Sequence, residues 1–117
     1  MVLSILRLKS PPRQTAELVQ ALRSLARPAR AMKGFVSSRV GFDAEDSNVI
    51  QYEERWATRE DLDNQLRAPR YSRLLVLMEA AAQQPSLEFH FISDTRGLDY
   101  VAALRGEEND FRLQSNQ

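Results

Sequence analysis

The sequence reads as one α+β domain with the element order βαββαβ. Three observations support this. Residues 35–42 and 49–56 alternate with a period of two on either side of a polar loop, as paired strands do. Leu18, Leu22, Leu25, Ala29 and Met32 recur three and four positions apart, as one buried helix face requires. Short apolar runs near 2–8 and 86–92 have the length and composition of further strands.

Val2–Leu8 is the first strand, and Ser10-Pro11-Pro12 ends it because Pro cannot donate to a ladder. The first helix covers residues 14–32. Pro28 falls late in it and is expected to kink it or end it near Arg27. Gly34 follows as a stop signal. In the second strand, Phe35–Phe42, alternation puts Val36, Ser38, Val40 and Phe42 on one face. Asp43–Asn48 forms the hairpin loop. In the third strand, Val49–Trp56, the residues Ile50, Tyr52, Glu54 and Trp56 share a face, and Val49, Gln51, Glu53 and Arg55 share the other.

Thr58 and Asp61 approximate a capping box, with Asp in place of Glu or Gln, and start a short helix running to Leu66. Pro69 suits the first position of another helix, whose buried stripe would be Tyr71, Leu74, Leu75, Met78 and Ala82. Pro85 ends it. Ser86–Ile92 is the fourth strand, and residues 97–104 form a last short helix. The domain is expected over residues 1–105, with residues 106–117 as a polar, frayed tail.

This order is the split-βαβ, ferredoxin-like arrangement: a four-stranded antiparallel sheet with helices on one face. The other face is bare. A second copy of the chain is the economical cover, so a homodimer through the sheet faces is expected.

Composition narrows the function. The chain has 117 residues, 43% of them hydrophobic, and no apolar run near the roughly 20 residues a membrane span needs. Met1–Ile5 leads straight into Arg7 and Lys9, so no signal-peptide pattern is seen and a cytoplasmic location is expected. With 16 basic and 16 acidic residues the net charge is zero, which argues against a general nucleic-acid binder. The absence of Cys excludes disulfides and thiolate chemistry. Phosphate-binding, dinucleotide, serine-hydrolase and His-based metal motifs do not occur. No metal or cofactor is expected.

The stretch Tyr52-Glu53-Glu54-Arg55-Trp56, the capped helix carrying Leu62, Gln65 and Leu66, and then Pro69 resemble the antibiotic biosynthesis monooxygenase family. The Gly34-Phe35 turn fits as well, and the resemblance spans roughly residues 2–92. It implies a dimeric α+β barrel with a pocket between the helices and sheet of each subunit. It also implies an aromatic or quinone-like ligand and, in the enzymatic members, oxygenation without metal or flavin. A non-enzymatic ligand-binding, sensing or dimerisation module of the same fold is the alternative. Gln65 and Arg70 stand where relatives commonly have His. The Asn, Trp and His of the haem-degrading branch are missing near Ser4 or Leu6, at Gln65 and near Leu75, so haem degradation is not expected.

The candidate ligand-binding residues are Tyr52, Trp56, Gln65, Arg70 and Tyr71, and the candidate catalytic residues are Glu54 and His90. Tyr52, Trp56 and Tyr71 offer aromatic walls, or serve as core aromatics with satisfied polar tips. Glu54 lies between Tyr52 and Trp56; it is a proton acceptor, or it pairs with Arg39 or Arg73. Gln65 and Arg70 can orient a ligand oxygen, and surface exposure is the alternative for Arg70. His90, the only His, is a general base if it faces the pocket and a structural hydrogen-bonder if it faces the dimer side. Parity in so short a strand leaves the two open.

Overall fold

A computed structural model describes residues 1–106, and the expected tail beyond Gly106 lies outside the described residues. The elements are β1 (Val2–Lys9), α1 (Thr15–Ala29), β2 (Phe35–Phe42), β3 (Val49–Trp56), α2 (Arg59–Arg67), α3 (Pro69–Glu79), β4 (Ser86–Phe91) and α4 (Leu98–Arg105). The strands form one antiparallel sheet in the order β2-β3-β1-β4. This is the ferredoxin-like α+β fold. β2 and β4 are its edges.

Cross-strand register sorts the two faces. Leu8↔Ile50, Leu6↔Tyr52, Ser4↔Glu54 and Val2↔Trp56 face the helices, and β4 adds Leu87 and Phe89 opposite Leu6 and Ser4. Leu6, Leu8, Ile50 and Tyr52 pack there against Leu18, Val19, Leu22 and Leu25 of α1 and Tyr71 and Leu74 of α3. Val2 and Trp56 pack against Ala29 and Leu62 at the other end. The uncovered face carries Leu3, Ile5 and Val49 among Arg7, Gln51, Glu53, Arg55, Glu88 and His90. It is more polar than the bare apolar face the sequence suggests.

Local chemistry sets the element ends. The Thr58 hydroxyl accepts from Asp61 N at 3.1 Å and donates to Asp61 Oδ2 at 2.8 Å, capping α2. Ala68 ends α2 and begins α3 in an extended conformation, because the residue before Pro69 is excluded from the helical region. Gly34 has φ +83° and accepts from Ala57 N at 2.7 Å. A Cβ there would fall 2.1 Å from Asp61 Oδ2. The turn after α1 is thereby locked onto the cap of α2. Gly106 closes α4 in the left-handed region.

Three expectations need correction. α1 runs to Ala29, past Pro28, and the chain continues in tightened i to i−3 turns to Met32. Val36 is an extra residue at a β-bulge between Phe35 and Ser37, so it leaves the face of Ser38 and Val40 and is exposed. Leu75 is 48% exposed and Ala82 is also exposed; the inward face of α3 is Arg70, Tyr71 and Leu74. Leu75 lies about 100° around the helix from Leu74 and so misses the sheet.

Candidate functional site

Alternation in β3 turns Tyr52, Glu54 and Trp56 together under the helices, at 3%, 4% and 0% exposure. A carboxylate that deep must be paired, because removing it from water unpaired costs several kcal/mol. Glu54 is fully engaged. It accepts from the Tyr52 hydroxyl, from Trp56 Nε1 at 3.1 Å, and from Arg70 Nη2 at 3.1 and 2.9 Å to its two oxygens. Phe35 meets the Trp56 ring edge-on, with centroids 5.6 Å apart. The indole is held by this ring contact as well as by its N–H.

Arg70 is buried, not surface-exposed. Pro69 starts α3 and places Arg70 at its second position, one helical turn before Leu74 on the same inward side. Its Nη1 donates to the Leu25 carbonyl at 2.8 Å, near the end of α1 where positive charge is favoured. The Gln65 amide oxygen, turned towards the guanidinium, accepts from Arg70 Nε at 2.6 Å and from Nη2. One guanidinium thus ties α1, α2, α3 and β3 together. Arg39 and Arg73, the partners considered from sequence, are both exposed and do not pair with Glu54.

Tyr71, 9% exposed, joins this cluster from α3. Its hydroxyl is buried and makes no hydrogen bond among the described residues. Burial pushes its pKa up, the Glu54 charge adds to this, and Arg70 opposes it. The Tyr52 phenol is pushed well above the usual 10.0 by burial, then by the charge and hydrogen bond of Glu54.

The fold therefore brings together Tyr52, Glu54, Trp56, Gln65, Arg70 and Tyr71. It does not bring His90 to them. Register places His90 opposite Leu3 on the uncovered face, 48% exposed, with Nε2 3.4 Å from Glu88 Oε2. Its neighbour Phe89 faces the helices instead. The Leu25 carbonyl was not foreseen, because backbone acceptors leave no residue-type signal. Among the described residues no three His, Asp or Glu side chains converge as metal ligands.

Chemically, the cluster holds one free polar group. Both carboxylate oxygens of Glu54 are already taken up by the donors around it. The Tyr71 hydroxyl, by contrast, has donor and acceptor capacity unused.

Comparisons with known proteins fit this geometry. The family model described as antibiotic biosynthesis monooxygenase matches residues 1–75, which include β1 to β3, α2 and the first part of α3. No curated protein matches the sequence significantly. Among solved structures, a candidate antibiotic biosynthesis monooxygenase from Deinococcus radiodurans superposes with a TM-score of 0.74 at 17% identity, covering 83% of this chain and 97% of that one. Rv0793 from Mycobacterium tuberculosis gives 0.71 at 22% identity, covering 82% and 98%. A mutant of SnoaB, a cofactor-independent oxygenase from Streptomyces nogalater, gives 0.69 at 16% identity, covering 80% and 94%. At these identities the structural likeness establishes the fold alone. The family match covers more than half of the sequence and includes Tyr52, Glu54, Trp56, Gln65, Arg70 and Tyr71, and by it this chain belongs to the antibiotic biosynthesis monooxygenase family.

Proposed function

We propose that this chain binds a flat aromatic or quinone-like molecule between α3 and β3 and oxygenates it without a cofactor. The observation that carries the reading is the Tyr71 hydroxyl, buried and unpartnered beside a saturated Glu54–Arg70 pair. An orphaned buried hydroxyl costs stability unless something satisfies it, and a ligand carbonyl or phenol oxygen would. Tyr52 and Trp56 supply aromatic surface for a planar ring. Arg70, Gln65 and Glu54 are positioning residues that hold Tyr52, Trp56 and α3 in place. The reaction is the one named for SnoaB. It needs an electron-rich ring from which water is kept away, and a site with walls at 0–9% exposure suits that.

The same low exposure favours a second reading. Trp56, Tyr52 and Gln65 are packed against their neighbours, and a ligand enters only if α3 or its side chains move aside. The cluster would then be a structural keystone in a module without enzymatic activity.

We also assign the uncovered sheet face to a second copy of the chain. Leu3, Ile5 and Val49 lie on it, and Leu98, Val101 and Leu104 of α4 are left exposed. His90 and Glu88 would lie in that contact. Light scattering at micromolar concentration should give a dimer, and a monomer would overturn this assignment.

The test of the ligand reading is turnover of quinols and hydroxylated polycyclic aromatics in air and under anaerobic conditions, followed by absorbance and O2 uptake. Trp56 is the only Trp, so its fluorescence reports binding directly. Oxygen-dependent product supports the whole reading. Quenching without turnover keeps the ligand and removes the oxygenation. Neither signal leaves the keystone reading.

A further inference from the structure

Arg23, Arg27, Arg30 and Arg39 line one cleft of about 320 Å³ between α1 and the edge strand β2, together with Ser38, Ala26 and Val40. Among the described residues no carboxylate lines it. None of the four guanidinium groups has an ion pair or hydrogen bond among the described residues. Arg39 pairs with Glu53 across the β2–β3 ladder, so it starts from the uncovered side of the β2 edge and borders the cleft from there, without an ion pair to Glu53.

This arrangement runs against local helix physics. Arg23, Arg27 and Arg30 are spaced four and three apart, so like charges stack along one side of α1 and destabilise it. The end of the helix favours Arg27 and Arg30. It gives no such benefit to Arg23, and Arg39 comes from a different element. Four of the chain's 16 basic residues line this one cleft.

We propose that the cleft is a binding site for a compact, multiply charged oxyanion, such as the phosphoryl group of a small molecule. Guanidinium forks match the oxygens of such a group in pairs, and the Ser38 hydroxyl can add a further donor. The cleft's size suits one small molecule, and zero net charge argues against a nucleic-acid track. The inference is independent of the aromatic ligand, since Tyr71 plays no part in it.

Calorimetric titration of the full chain with pyrophosphate at low and high salt tests the site. Arg23→Gln and Arg27→Gln remove charge from the α1 wall, and Arg67→Gln removes the same charge from an exposed position outside the cleft. Saturable one-to-one binding is expected, weakened about tenfold by either cleft variant and unchanged by Arg67→Gln. No saturable binding at low salt, or equal weakening in all three variants, would overturn the proposal. Tighter binding of an RNA oligonucleotide or of anionic phospholipid vesicles, lost in the same cleft variants, would overturn the small-molecule assignment. All three residues are exposed, and thermal midpoints no lower than that of the unsubstituted chain confirm that the variants fold.

Discussion

Arg70 Nη2 donates to both carboxylate oxygens of Glu54, at 3.1 and 2.9 Å, where the two side chains are 7% and 4% exposed. Removing one partner leaves the other charge buried and uncompensated. Glu54→Ala or Arg70→Ala alone is expected to cost about 3–5 kcal/mol. Replacing both, as Glu54→Ala with Arg70→Ala, is expected to cost less than the sum. Urea unfolding of the four proteins gives the coupling directly.

Gly34 and Asp61 make a second tight relationship. An alanine at 34 would suffer both the left-handed backbone at φ +83° and a Cβ 2.1 Å from Asp61 Oδ2. Gly34→Ala is expected to destabilise the fold by about 2–4 kcal/mol, from the two costs together. Asp61→Ala removes Oδ2 and Cγ but keeps a Cβ 2.5 Å from the new methyl, and it also removes the Thr58–Asp61 hydrogen bond. The double variant should therefore recover only part of the loss in chemical denaturation.

Tyr52 and Tyr71 set an alkaline limit. Burial, followed by the Glu54 charge, raises both phenols above 10.0 in the folded state. The folded chain therefore holds protons that the unfolded chain releases. This contribution to stability is fully present below about pH 10 and is lost as the pH rises through the higher folded values. Urea midpoints should fall above about pH 10, and Tyr71→Phe should make that fall shallower.

Much of this fold was legible because two periodicities dominate the sequence. The limits of β2 and β3 follow directly from alternation between Gly34 and Thr58, and Pro69 marks the start of α3. Val36 was misplaced because a bulge adds a residue without altering composition. Leu75 was misplaced because its side of α3 has no sheet beneath it. The aromatic and carboxylate members of the cluster were visible on one face of β3. Arg70 was not assigned to Glu54, because an arginine at a helix start is ordinarily solvated and only tertiary packing brings α3 over β3. The side of the sheet taken by His90 depends on the register of β4, which six residues do not specify.

Tyr71→Phe removes the one buried polar atom of the cluster that lacks a partner. The ligand-free protein is expected to gain about 1 kcal/mol, since an unsatisfied buried hydroxyl costs at least that much. Thermal and urea unfolding should both show the gain. A loss of stability would mean that the hydroxyl is satisfied in solution.

The central claim is that this hydroxyl faces a ligand, and the most direct test is Trp56 fluorescence during titration of wild-type and Tyr71→Phe protein with hydroxylated polycyclic aromatics. Saturable quenching, weakened about tenfold in the variant, is the result expected from a lost buried hydrogen bond. Equal affinity in the two proteins, or no quenching in either, would contradict the claim and leave the Tyr52–Glu54–Trp56–Arg70 cluster as the structural keystone of the domain.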